Sequence, residues 1–323
     1  MRGSLMRRWT KAEHTALLKK HMDNKEAAAV YTLAGRGTIS PQLVRYWRSI
    51  FVENEGNMAG ADRALASQRK YIKPELDDDL GEALSIPDKA NRILVIPDMH
   101  APYEHPDALA FLEAVRDRVK PDLVVNVGDE LDYHALSFHD SDPNLDAAGA
   151  ELERGKIVMR KLYSLFPTML ICHSNHGSMQ YRRAKAHGIP VQMIKRYRDV
   201  VVPDTYGAPG WSWRYGWRIQ TALGTVLFKH QSSGAVLQDA AHNNCNLVVG
   251  HQHGLFSVEY AASTDRLYWG MYVGCLIDKD ALAFAYGKHS RNKPILGCGI
   301  VIDGVPALVP MLLNDQGRWV GAL

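Results

Sequence analysis

Short apolar runs punctuate the chain from residue 93 onward, each ending abruptly in a polar or glycine-containing cluster. Ile93–Ile96, Leu123–Val127 and Met169–Cys172 have the length and β-branched content of buried strands. Between them lie segments with helical spacing. Ala108, Leu112, Val115 and Val119 fall on one face of a helix over 108–119, and Val158, Leu162 and Leu165 line one over 147–165. A basic stretch over 180–200 also reads as helical. Alternation of strand and helix predicts an α/β domain. After Gly210 the pattern becomes one of hairpins: 211–221 with 225–229, then 247–249, 256–260, 267–273, and a last pair near 299–302 and 307–311. These predict a second, more antiparallel sheet.

The first fifty residues follow a different rule. Thr10 is placed to cap a helix to about His21 with Leu17 and Leu18 inward, and Asn24 to cap a second containing Ala27, Ala28, Val30 and Leu33. Gly35-Arg36-Gly37 breaks the chain, and Ser40-Pro41 restarts it. The third helix sets Leu43, Trp47 and Ile50 at core spacing and Gln42, Arg45 and Arg48 opposite. This resembles a helix-turn-helix with residues 41–51 as recognition helix, in which Gln42, Arg45 and Arg48 would contact nucleic acid. A plain three-helix packing unit is the alternative. The organisation expected is a helical domain over 1–52, a linker over 53–90 with some helix near 61–68, and the α/β domain over 91–323.

Composition adds little to the class but something to the partner. The chain has 323 residues, 46% apolar and 23% charged, which suits a globular protein with a sizeable core. Residues 1–50 carry ten Lys/Arg against three Asp/Glu, whereas the remainder carries 28 against 32. A basic end on a mildly acidic body points to an anionic partner, DNA first, with a solvated basic surface as the alternative. The four cysteines form no CxxC pair and read as free thiols. With no apolar stretch after the basic start and no membrane-length run, a cytoplasmic protein with no membrane partner is expected.

The chemistry lies at the ends of the apolar runs. Ile96 is followed by Asp98 and His100, Val127 by Gly128-Asp129-Glu130-Leu131-Asp132, and Cys172 by Ser174-Asn175-His176. Lys229 is followed by His230, and Val249 by Gly250-His251-Gln252-His253. Ligands of α/β sheets bind beyond the carboxyl ends of strands, so these residues are placed to converge. Asp, Asn and His form a mixed oxygen and nitrogen set suited to Mn²⁺ first, and also to Fe²⁺, Zn²⁺ or Ni²⁺. Seven such groups are too many for one ion and fit two divalent ions sharing a carboxylate, an arrangement used for hydrolysis at phosphorus.

The ordered set Asp98-x-His100, Gly128-Asp129, Asn175-His176, His230 and Gly250-His251-x-His253 resembles that of the calcineurin-like metallophosphoesterases, over residues 92–275 or so. The resemblance implies a two-sheet α/β sandwich flanked by helices. It implies that Asp98, His100 and His253 hold one metal, that Asn175, His230 and His251 hold the other, and that Asp129 bridges them. A water made acidic by the metals would attack in line, and His176 would face the substrate and protonate the leaving group. Two departures stand out. Gly177 occupies the place of a usual acidic residue beside the catalytic histidine, so Asp132, Glu130 or another group must orient His176. Glu130-Leu131-Asp132 lacks the arginine of the protein-phosphatase branch.

Other residues carry weaker signals. His134, His139 and His173 read as bystanders. Trp211, Trp213 and Trp217, with Arg214 and Arg218, read as hairpin core rather than a base-stacking surface. Arg182, Arg183, Lys288 and Arg291 are placed to meet substrate phosphates or simply to carry surface charge. The function expected is a metal-dependent phosphodiesterase acting on nucleic acid, a nuclease or DNA-processing enzyme. A phosphatase or phosphodiesterase for small phosphoesters, and a DNA-binding regulator with an inactive hydrolase domain, are the alternatives.

Overall fold

In the computed structural model, residues 17–18, 23–33, 39–45, 48, 84–138, 144–202, 208–287 and 293–323 are described. Contacts divide the chain into two compact units, Met1–Lys73 and Pro74–Leu323. Trp47, Ile50, the expected helix at 61–68, His139, Lys288 and Arg291 lie outside the described residues.

In the first unit, α1 spans Asn24–Leu33. Its cap is Asp23 rather than Asn24: the Asp23 carboxylate accepts from the Lys25 N–H at 2.8 Å, and its carbonyl accepts from Ala27. Asn24 instead accepts from the Arg48 guanidinium at 3.0 Å. Ser40 caps the next helical run as expected, its Oγ accepting from Leu43 N–H. The phase of that run differs from expectation. Val44 is fully buried with Leu17, Leu18, Ala27, Ala28 and Tyr31, while Leu43 is 36% exposed. Leu33, at the end of α1, is exposed. Gln42 and Arg45 are exposed, and Arg48 is half-buried.

The second unit contains twelve described strands in two six-stranded sheets. One sheet is built on β2 (Arg92–Ile96), β3 (Leu123–Asn126), β4 (Met169–Cys172) and β5 (Trp211–Arg214), all parallel. Antiparallel β11 (Gly297–Ile302) and β12 (Val305–Pro310) extend it beyond β2. The other sheet runs β1 (Leu84–Lys89), β6 (Gly216–Thr221), β7 (Gly224–Lys229), β8 (Asn246–Val249), β10 (Leu267–Val273), β9 (Phe256–Ala262).

Side-chain alternation explains the layering. In β2, Ile93 and Val95 point into an apolar layer shared with Trp217, Val226, Phe228, Val248 and Met271 of the facing sheet. Leu94 and Ile96 point the other way, onto α2 (Ala108–Val119) and α3 (Ala148–Leu165), through Phe111, Leu112, Val115, Met159 and Leu162. The outer face of the second sheet buries Leu227, Leu247 and Tyr272 against Val236 and Ala240 of α6 (Val236–His242). The result is a helix–sheet–sheet–helix sandwich.

Four details correct the sequence expectation. Leu84–Lys89, assigned to the linker, is a strand paired in parallel with β6. The 211–221 run is two strands in different sheets, with Tyr215 exposed between them. β11 and β12 join the first sheet, and the second is mixed: β7–β8 and β8–β10 are parallel pairs. The 180–200 helix is broken into α4 (Met179–Ala186), a 3₁₀ turn and α5 (Tyr197–Val201), by Gly188 at φ 69° and Pro190.

Candidate metal centre

Five strand ends supply the site. Asp98 and His100 follow β2, Asp129 follows β3, Asn175 and His176 follow β4, His230 follows β7, and His251 and His253 follow β8. Three of these residues, His100 (φ 52°), Asp129 (φ 50°) and His251 (φ 65°), adopt the left-handed backbone region. Non-glycine residues avoid it at a cost of about 1–3 kcal/mol each, and such outliers concentrate at functional sites. Backbone bonds hold them there. The Met99 and His100 N–H groups both donate to the Asp129 carbonyl. Gly128 (φ 106°) makes the turn, where a Cβ would meet Ser174 and the Cys172 carbonyl. Gly250 is required for space, because a Cβ would run into Asp98 Oδ1.

The side chains form three clusters of donor atoms: Asp98, His100 and His253; Asp129, His230 and His251; and His100, Asp132 and His176. Asp129 lies between the first two. Its Oδ2 is 3.5 Å from His100 Nε2 and 3.3 Å from His230 Nε2. Asn175 Oδ1 is 2.6 Å from His230 Nε2, and Asp98 Oδ2 is 3.2 Å from His253 Nε2. The seven residues expected to act together therefore converge.

Hydrogen bonds fix the tautomers. His230 Nδ1 lies 3.0 Å from the Val127 carbonyl, so Nδ1 carries a proton, and Nε2 faces the oxygens of Asn175 and Asp129, where a cation is favoured. His100 Nδ1 lies 2.6 Å from Asp132 Oδ1, which leaves its Nε2 lone pair facing His253 Nε2 at 3.1 Å. Nitrogens and carboxylate oxygens brought this close are held together by a cation among them, a proton or a metal ion. Asp98 Oδ1 is fully buried and has no hydrogen-bond partner among the described residues. The donor set thus fits divalent metal ions.

Electrostatics agree. Burial pulls the His230 imidazolium down, but Asp129 and Asp98 outweigh it and push its pKa up to about 9. Burial would raise Asp129; His176, His230 and His100 instead hold it well below the ordinary value. His100 is lowered by burial and by His176. His230 and Asp129 mark a centre that favours positive charge, while the lowered His100 favours the neutral imidazole that a metal ligand requires.

His176 sits on the open side, with Nε2 3.9 Å from Asp129 Oδ2 and its backbone N–H donating to Asp129 Oδ1 at 3.2 Å. Burial disfavours its charged form, yet Asp129 and Asp132 raise its pKa. The group opposite its Nδ1 is the backbone carbonyl of Asp132, with the Asp132 carboxylate 3.7 Å away. Asp132 thus orients both His100 and His176 and fills the place left by Gly177. Glu130 faces elsewhere and accepts from Trp213 Nε1 at 2.9 Å.

Glu151 of α3 was not evident from sequence. Its two oxygens accept from the His134 and Ala135 N–H groups at 2.7 and 3.0 Å, fastening the loop after Asp132. The available signal was a carboxylate on the same stripe as Gly155, Val158 and Leu162. His134 is 3.9 Å from Asp132 Oδ2, outside the ligand set. His173 is turned toward Tyr197. Trp211, Trp213 and Trp217 are buried core residues. The four cysteines are free and buried. Among the described residues no helix is long and apolar enough to cross a membrane.

A scan of known family models finds no match to the sequence, and a search of curated proteins finds none either. Solved structures do align at low identity. They include Vps29 of Chaetomium thermophilum (TM-score 0.37, 13% identity, 72% of this chain and 93% of that one). Vacuolar Protein Sorting 29 of Cryptosporidium parvum aligns with a TM-score of 0.32 and 13% identity over 69% and 97% of the two chains. The E. coli phosphoesterase YfcE aligns with a TM-score of 0.35 and 13% identity over 71% and 96%. Likenesses this distant leave the reading to the residues themselves.

Proposed function

We propose that the protein is a metal-dependent phosphoesterase that hydrolyses phosphodiester bonds, with nucleic acid as its substrate. The observation carrying the reading is Asp129 Oδ2, set between two histidine clusters at 3.3 and 3.5 Å. Asp98, His100 and His253 would hold one ion, Asn175, His230 and His251 the other, with Asp129 shared. When bound, divalent ions such as Mn²⁺ supply positive charge at the phosphoryl oxygens and make a water more acidic.

The chain's own groups supply the rest. Val127 and Asp132 hold the His230 and His100 rings with their Nε2 atoms inward. Asp132 turns His176 so that Nε2 faces the open side, from which it gives a proton to the leaving oxygen. The nucleic-acid preference draws support from the ten basic residues of the first fifty and from the exposed Gln42 and Arg45. Arg48 is less available, since it donates to Asn24.

The test is turnover of bis(p-nitrophenyl) phosphate, p-nitrophenyl phosphate and single-stranded, duplex and nicked DNA with Mn²⁺. Hydrolysis of the diester and of DNA, abolished by Asp129→Ala and strongly reduced by His176→Ala, is expected. Turnover of the monoester alone would replace the nuclease reading with a small-molecule phosphatase.

A further inference from the structure

The loop after Asp132 and the helix after His176 meet at an exposed aromatic ring. Phe138 is 47% exposed, unusual for a phenylalanine. Its position is nevertheless fixed. Glu151 holds the loop at His134 and Ala135. Arg183 of α4 holds it from the other side, Nε donating to the Leu136 carbonyl at 2.7 Å and its second amino group to the Ser137 carbonyl. Two adjacent arginines approach the ring, with guanidinium carbons 4.3 Å (Arg183) and 4.9 Å (Arg182) from its centre.

Their roles differ. Arg183 is half-buried and spends its donors on carbonyls. Arg182 is exposed, and among the described residues its guanidinium has the ring contact but no carboxylate partner. A cation steadied on an aromatic ring keeps its donors facing solvent and loses less side-chain freedom when it captures an anion. Lys185, also exposed, adds charge on the same helix. Arg182 lies one turn into α4, which begins three residues after His176.

We propose that Arg182, steadied by Phe138, receives a second anionic group of the substrate, a phosphate neighbouring the one held at the Asp129 centre. The proposal rests on the phosphoesterase reading and narrows it to substrates with more than one phosphate. Such a phosphate belongs either to the next linkage of an oligonucleotide or to a nucleoside polyphosphate.

Calorimetry of the full chain with trithymidylate and with thymidine triphosphate tests this, using Arg182→Gln, Arg182→Lys and Phe138→Ala. Arg182→Gln is expected to weaken binding about tenfold, as for loss of one charge-assisted contact. Arg182→Lys should recover part of that, and Phe138→Ala should give an intermediate loss. In parallel, kcat/KM for bis(p-nitrophenyl) phosphate, which has one phosphate, should fall less than that for trithymidylate. Weakening of trithymidylate alone assigns the site to a neighbouring linkage; weakening of both ligands assigns it to any second phosphate. Unchanged affinity for both in Arg182→Gln, or no binding by the wild type, overturns the proposal. Failure of the wild type to hydrolyse any phosphoester would defeat the phosphoesterase reading separately, since calorimetry reads anion binding without turnover.

Discussion

Asp132 shows what one residue does for two neighbours. Its carboxylate fixes the His100 tautomer, and its carbonyl fixes His176. Asp132→Ala removes the first role and leaves the second. The apparent Mn²⁺ affinity, read from the activation curve, is expected to fall about 10–100-fold, and an unchanged curve would count against this role. The metal-ligand candidates were legible because each stands within four residues of the end of an apolar run. The partner of His176 was not, because a backbone carbonyl leaves no mark on the sequence. Glu104 is a separate case. Burial raises its pKa to about 7 from the ordinary 4.5, and its Oε2 has no hydrogen-bond partner among the described residues. The folded state therefore binds this proton more tightly than the unfolded chain does. Its contribution is most favourable below pH 4.5 and is lost as pH rises through about 7. Glu104→Gln is expected to raise the urea midpoint at pH 8 and leave it unchanged at pH 4. A lower midpoint at pH 8 would show that the ionised carboxylate has a partner.

At the scale of elements, period-two alternation located the strands but not their neighbours. Leu94 and Ile96 facing helices, and Ile93 and Val95 facing a sheet, look alike in sequence, because both sides are apolar. For the same reason 211–221 read as one hairpin arm. Trp211 and Trp213 bury against the helices, whereas Trp217 and Ile219 bury between the sheets, so the chain changes sheet at Tyr215. One polar contact ties β7 to α6: Lys229 Nζ lies 2.6 Å from Asp239 Oδ2, both side chains being buried. Asp239 also accepts from the Ser233 N–H and the Asn243 amide. Asp239→Ala strands a buried ammonium and is expected to cost about 3–5 kcal/mol in urea unfolding. A loss below about 1 kcal/mol, the range of an exposed pair, would mean that water reaches Lys229.

At the scale of the whole molecule, contacts divide the chain into two compact units, Met1–Lys73 and Pro74–Leu323. The first strand of the sandwich, Leu84–Lys89, escaped notice because Pro87 and Asp88 interrupt its apolar pattern. The helical unit's phase was misjudged because adjacent Leu43 and Val44 offer the same hydrophobicity, and only packing against Ala27, Ala28 and Tyr31 selects Val44. The central claim concerns the sandwich: five strand ends build a site for two divalent ions around Asp129. Metal content per chain after equilibration with Mn²⁺ and removal of free ions tests it most directly. The wild type should retain two ions per chain, and Asp129→Ala should retain fewer than one while remaining folded by circular dichroism. A wild type that binds no metal, or an Asp129→Ala protein that still holds two ions, would contradict the account.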